Sequence, residues 1–217
     1  MSLSEQLARP RGALGLLAGE LLAWRNRGLN RWTLDLLALA PASRVLEVGF
    51  GPGVGVRMAS RRACDGFVAG VDPSEVMVKR ALVRCRRAVA AGRVDLRRGS
   101  ALPLPWDDAE FTHAFAVNAF HEWEDPAAAL RELARVLRPG GRVALTAQSR
   151  GARNVDEAHG IASRSLALLG AAGFEALRIA WRPARPLPAH CLLGTRSGDA
   201  TAEGSAASVP NRSRNST

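Results

Sequence analysis

The 217-residue sequence has no tyrosine, one lysine (Lys79) and only three cysteines. Without tyrosine there is no Tyr-x-x-x-Lys pair, a constellation that many nicotinamide-dependent oxidoreductases use. Cys64, Cys85 and Cys191 are odd in number and far apart, and they form no CxxC pair. A disulfide framework is therefore not expected, and a reducing cytoplasm is the expected compartment. In that compartment the sequons at Asn211 and Asn215 carry no glycan. No apolar run reaches the roughly 18 residues of a membrane-spanning helix. The stretch GALGLLAGELLAW (12–24) is broken by Glu20 and followed by WRNRGLNRW, with no small-residue cleavage site, so it reads as an amphipathic helix.

Negative charge is also scarce. Thirty Lys and Arg against 20 Asp and Glu leave a formal charge of +10. Such a balance can mark a partner of nucleic acid or of an anionic membrane. Here the arginines are scattered along the chain and no basic run is interleaved with aromatics. Arginine-for-lysine usage of this kind fits a GC-rich coding bias, and nucleic acid is not expected as a partner.

What is present is an apolar content of 47% in a length suited to one α/β domain. Helical patterns cover about 11–24 and 29–39. Strand-like runs at 44–49, 67–72, 94–100, 113–120 and 142–148 then alternate with helical patterns at 54–63, 74–90, 126–137 and 155–171. Ser74 is placed to cap the second of these helices, and Pro139-Gly140-Gly141 to end the third. FEALRIAWR (174–182) and AHCLLGTR (189–196) have no helix between them, so an antiparallel hairpin is expected. The fold class is α/β: a Rossmann-like sheet of seven strands, mostly parallel, with helices on both faces. From Ser197 the composition predicts a disordered tail.

In such a sheet, ligands bind beyond the carboxyl ends of the strands, where the first strand-to-helix turn lets backbone approach closely. That turn is VLEVGFGPGVG (45–55). A dinucleotide fingerprint GxGxxG would need its third glycine at position 54 or 56, where valine stands. The actual spacing is ExGxGxG: Glu47, Gly49, Gly51, Gly53. A carboxylate here repels a phosphate and attracts a cation; the plain alternative is a tight turn carrying a solvated acid. Asp72, ending the second strand in GVDPSEVM (70–77), suits a pair of ribose hydroxyls, a demand common to several nucleoside ligands.

The ExGxGxG loop resembles motif I of the class I S-adenosylmethionine (SAM)-dependent methyltransferases. Residues 97–145, RRGSALPLPWDDAEFTHAFAVNAFHEWEDPAAALRELARVLRPGGRVAL, resemble the type 11 methyltransferase family, which is ubiquinone/menaquinone methyltransferase-like. The likeness extends over about residues 30–196. It implies SAM as cofactor and S-adenosylhomocysteine as product, with Glu47, Gly49, Phe50, Gly51 and Gly53 in the binding loop. It further implies Asp72 at the ribose, Pro73 and Met77 near the adenine, and backbone of Ala101 against the adenine. Ser100 stands where the family usually has an acid. Asn118 and Ala119 would line the methionine. Three regions follow: a helical lid (1–41), a SAM-binding domain (42–196) and a tail (197–217). In the lid, Arg31 and Trp32 would touch the methionine carboxylate or the substrate, or else fill ordinary surface and core roles.

A neutral hydroxyl acceptor must lose a proton, and histidine suits that task. His121, behind the fourth strand in NAFHEWED, is the candidate base and Glu122 the second; the alternative is a histidine that caps or packs beside Trp123. His113 is expected to be structural, His159 to sit on a helix where substrate lids lie, and His190 to need no function. Asn118-Ala119-Phe120-His121 lacks the prolines of amino-methylating DNA enzymes. No carboxylate set suits a divalent cation, so no metal is expected. The cysteines do not suit arsenic. An organic small molecule of lipophilic character remains as acceptor, beside the alternative of a SAM-binding partner or regulatory protein without catalysis. Composition and motifs leave the oligomeric state open.

Overall fold

A computed structural model describes residues 26–149 and 152–198. The expected helix over 11–24, and all but two residues of the expected tail, lie outside these. The described chain opens with a helix over residues 26–37, here α1. Then follow β1 (Arg44–Val48), α2 (Val54–Arg62), β2 (Phe67–Asp72), α3 (Glu75–Ala90), β3 (Val94–Arg98) and β4 (Phe111–Val117). A 3₁₀ turn (Phe120–Glu122) leads to α4 (Pro126–Val136), β5 (Leu137–Gln148), α5 (Val155–Ala171), β6 (Phe174–Arg182) and β7 (Ala189–Arg196).

The strands form one seven-stranded sheet in the order β3-β2-β1-β4-β5-β7-β6. The first five are parallel, and β7 runs antiparallel to both β5 and β6. The order reverses between β1 and β4, so the switch point of the sheet falls at the end of β1.

Local chemistry sets the helix starts. The Ser74 hydroxyl accepts from the Met77 amide, as its position predicts. Asp125 accepts from the Ala128 amide, with Pro126 next in the chain, and Asn154 accepts from the Glu157 amide. The start of α2 has no side-chain cap; Gly53 turns the chain there at φ +80°. Apolar residues pack on both faces of the sheet. Leu34, Leu37, Val56 and Phe115 lie in one cluster, and Leu46, Leu130, Leu145 and Leu169 in the other.

Helix α1 is built into the first cluster, with Leu34 and Leu37 fully buried. The hydroxyls of Thr33 and Thr146 on β5 lie 2.6 Å apart, and the Arg142 guanidinium donates to the carbonyls of Leu36 and Leu37.

Several element boundaries differ from expectation, such as α1 starting at residue 26 instead of 29 and β3 ending at Arg98 instead of 100, and two of the differences have a clear physical cause. Pro139-Gly140-Gly141 was expected to separate α4 from a strand starting at 142, yet β5 begins at Leu137. Leu137 pairs with Phe111 and Arg142 with His113, so residues 138–141 form a bulge within the strand, with Gly140 at φ +75°. The fourth strand ends at Val117 rather than 120, because Asn118 adopts φ +54° and turns the chain into the 3₁₀ turn.

Candidate functional site

The glycine loop sits at the switch point, and each of its glycines is required for a different reason. A Cβ on Gly49 would lie 2.4 Å from the Ala119 Cβ, so the ends of β1 and β4 approach too closely for any side chain. One on Gly53 would lie 2.7 Å from the Ala81 Cβ on α3. At Gly51, φ +53°, nothing lies within 4 Å: the loop faces open space there. Phe50 turns inward, 3% exposed, and packs against Gly70.

Glu47 is 2% exposed. Its carboxyl group accepts from the Val56 amide, and burial pushes its pKa well above the ordinary value. Its Oε2 has no hydrogen-bond partner, and neither has Oδ1 of the equally buried Asn30 on α1. Both atoms lie within 2.5 Å of the point where a Gly55 Cβ would sit. Two buried acceptors side by side without a donor are costly. A ligand that brings N–H donors and positive charge relieves that cost, so this end of the site fits the ammonium of SAM.

Asp72, also buried, accepts from the Gly51 amide at 2.7 Å and the Ser74 amide at 2.9 Å. It thus fastens the glycine loop to the end of β2, and each oxygen keeps a lone pair for another donor. Burial raises its pKa against the lowering effect of those two bonds. Pro73 beside it is exposed and Met77 buried. The Ser100 hydroxyl is spent on its own turn, donating to the Leu102 carbonyl and accepting from the Leu102 amide. Ala101 is buried in the core.

At the end of β4 the Asn118 side chain joins three elements. Its Oδ1 accepts from the Gln148 amide at 2.8 Å, and its Nδ2 donates to Oδ1 of Asn26 on α1 at 2.9 Å. Asn26 and Asn30 were not singled out in the sequence. A signal was there, since Asn26, Asn30 and Thr33 recur at helical spacing on an otherwise apolar face. Arg31 and Trp32 instead line a separate groove of 470 Å³ with Arg27, Gly28, Asp35 and Arg182.

His121 and Glu122 are both exposed in the 3₁₀ turn, with His121 Nε2 3.3 Å from Glu122 Oε1. His159 lies on α5, the helix where a substrate lid was expected, and His190, for which no function was expected, belongs to the same side of the molecule. The His190 ring is buried, shares a 3.2 Å hydrogen bond with the Ser149 hydroxyl, and lies 5.5 Å from the Trp181 ring. Trp181 in turn lies 4.3 Å from the His159 ring. Burial and the nearby His121 lower the pKa of His190 to about 4. Hairpin pairing caused this gathering: Trp181 stands opposite His190 across β6 and β7. His113 is at the opposite, amino-terminal half of β4, hydrogen-bonded to Thr112, with its pKa lowered to about 4 by burial, Arg142 and Arg138. Among the described residues no three His, Cys, Asp or Glu side chains converge as a metal site, and no helix is long and apolar enough to cross a membrane.

The type 11 methyltransferase family, described as a methyltransferase domain, matches residues 46–145. An uncharacterized methyltransferase of Bacillus subtilis, YdaC, is 32% identical over 182 residues, covering 83% of this chain and 98% of the relative. The 27-O-demethylrifamycin SV methyltransferase of Amycolatopsis mediterranei is 40% identical over 111 residues, but that stretch is 51% of this chain and 40% of the relative. A SAM-dependent methyltransferase from Aquifex aeolicus has the same fold, with a TM-score of 0.63 at 21% identity over 76% of this chain and 88% of that one. The chain belongs to the class I SAM-dependent methyltransferases, within the type 11 family.

Proposed function

We propose that this methyltransferase acts on a hydroxyl group of an organic small molecule, with its cofactor held at the β1–α2 loop. The observation that carries the reading is the pair of buried, donorless oxygens on Glu47 and Asn30 at the switch point. SAM, when bound, supplies a methyl carbon already activated by positive sulfur.

Glu47 and Asn30 accept from the cofactor's ammonium, and the Cβ-free surface at Gly49, Gly51 and Gly53 allows backbone contact beside Phe50. Asp72 accepts from the ribose hydroxyls with the lone pairs that the loop amides leave. Pro73, Met77 and Ala101 border the adenine. Because the Ser100 hydroxyl is turned onto Leu102, adenine recognition falls to the backbone there. Asn118 and Ala119 line the methionine, and Asn118 holds α1 over it.

On the acceptor side, His121 takes the hydroxyl proton and Glu122 stabilises the charged imidazole. Trp181, 37% exposed, offers a flat apolar wall with His159, which suits a lipophilic, planar acceptor. Alignment of acceptor and donor is the main task left to the protein, and in well-oriented reactions it can supply about 7–11 kcal/mol of a barrier. Two observations favour oxygen as the atom methylated: a histidine at the mouth, and the O-methylation named in the Amycolatopsis relative.

Calorimetry with SAM and NAD, followed by transfer of labelled methyl from SAM into small-molecule extracts, tests the reading. SAM should bind and NAD should not, Glu47→Gln should weaken SAM binding at least tenfold, and His121→Ala should lower turnover of the labelled product while SAM affinity holds. Binding of NAD alone would refute the cofactor site. Full turnover in His121→Ala would remove the base. SAM binding without any labelled product would favour a regulatory protein.

A further inference from the structure

The arginines scattered through the sequence are not scattered in space. Along α2 and α3 lies an open groove of about 1310 Å³. Among the fourteen described residues that line it, eight are arginine or lysine and none is acidic. They come from separate parts of the chain: Arg57 and Arg61 from α2, Lys79, Arg86 and Arg87 among those from α3, and Arg93 from the turn before β3.

Lys79 is neutralised by Glu75 at 2.6 Å, and Arg93 donates to the Ser60 carbonyl. Arg57, Arg61, Arg86 and Arg87 are exposed, and among the described residues none of the four has a carboxylate partner. A coding bias explains arginine in place of lysine; it does not explain why eight cations and no acid stand among the described residues of one concave surface. Holding like charges together is unfavourable unless an anion neutralises them.

We infer that this groove is a docking site for the phosphate backbone of duplex DNA. Two properties select that occupant. Among the described residues that line the groove, the only exposed large apolar one is Val83 and none is aromatic, so this lining offers neither the apolar anchor of a membrane site nor a stacking platform for single strands. Its cations are guanidinium groups, which bind phosphate oxygens in pairs. Recognition is of the backbone and independent of base sequence.

The test is fluorescence anisotropy of a labelled duplex DNA with the full chain, repeated over a salt series. Four uncompensated arginines predict a log–log salt slope of about −3 to −4, or a loss of affinity on the order of a hundredfold for a fourfold rise in salt. Arg57→Glu/Arg61→Glu and Arg86→Glu/Arg87→Glu should each bring the slope about 2 closer to zero. SAM titration by calorimetry should be unchanged in both, which shows that they fold. Wild-type slope in both variants overturns the groove as the site. Absence of duplex binding at low salt overturns it too, as does binding only to phosphatidylserine vesicles, which would assign the groove to a membrane surface. SAM binding is read independently, so this inference can fail while the proposed reaction stands.

Discussion

At the residue scale, glycines in one loop differ in what they are for, and substitution separates the uses. Gly51→Ala adds a methyl group where nothing lies within 4 Å, at a φ of +53°. The expected result is a folded protein, destabilised by about 1 kcal/mol, whose SAM affinity falls because the new methyl group stands in the open space over the loop. Gly49→Ala adds a methyl group against Ala119 at 2.4 Å. Its main expected result is lost stability, since two strand ends must separate. Thermal melts with and without SAM distinguish the two: for Gly51→Ala the SAM-induced rise in Tm should shrink far more than the Tm of the free protein. Much of this loop was legible in the chain, because ExGxGxG constrains backbone directly. Asn30 was less legible. Its role depends on α1 lying against the end of β1, a contact between distant segments that no local pattern encodes.

At the element scale, the end of α1 is held by a side chain from the sheet as well as by its own backbone turn at Ala38. Arg142 donates to the carbonyls of Leu36 and Leu37, at the end of the helix where partial negative charge gathers. Arg142→Met keeps much of the stem and removes both bonds. The expected cost is about 1.5–3 kcal/mol, seen as a lower Tm, with weaker SAM binding as α1 loosens from Asn118. An unchanged Tm would show that the apolar face of α1 suffices. Alternation of strand and helix was readable from periodicity, and so was the hairpin, since no helical pattern separates 174–182 from 189–196. The bulge at 138–141 was not. Pro-Gly-Gly normally stops an element, and only pairing of Leu137 with Phe111 carries the strand through it. The histidine and tryptophan cluster was hidden for a similar reason. His190 and Trp181 are apart in the chain and meet only through strand register.

For the whole molecule, buried titratable groups tilt stability with pH in opposite senses. His113 has its pKa lowered from 6.5 to about 4. The unfolded chain therefore takes up that proton first, and the contribution of His113 is present above pH 6.5 and lost as pH falls towards about 4. Glu47 has its pKa raised above 4.5, so its contribution is full below that value and lost as pH rises through the raised one. Tm profiles of His113→Gln and Glu47→Gln against the parent check both signs. The parent-minus-variant difference should shrink towards acid for His113 and shrink towards neutral pH for Glu47. A flat difference for either would mean that the group titrates as it does in the unfolded chain.

The place of β7 between β5 and β6 governs how the molecule comes into being. Until residues 189–196 have left the ribosome, the hydrogen-bonding edge of β5 is bare and β6 has no neighbour to join. The growing polypeptide must carry an incomplete sheet with a bare, aggregation-prone edge until those residues emerge, and a stop codon ahead of Ala189 would yield a product that cannot finish its sheet.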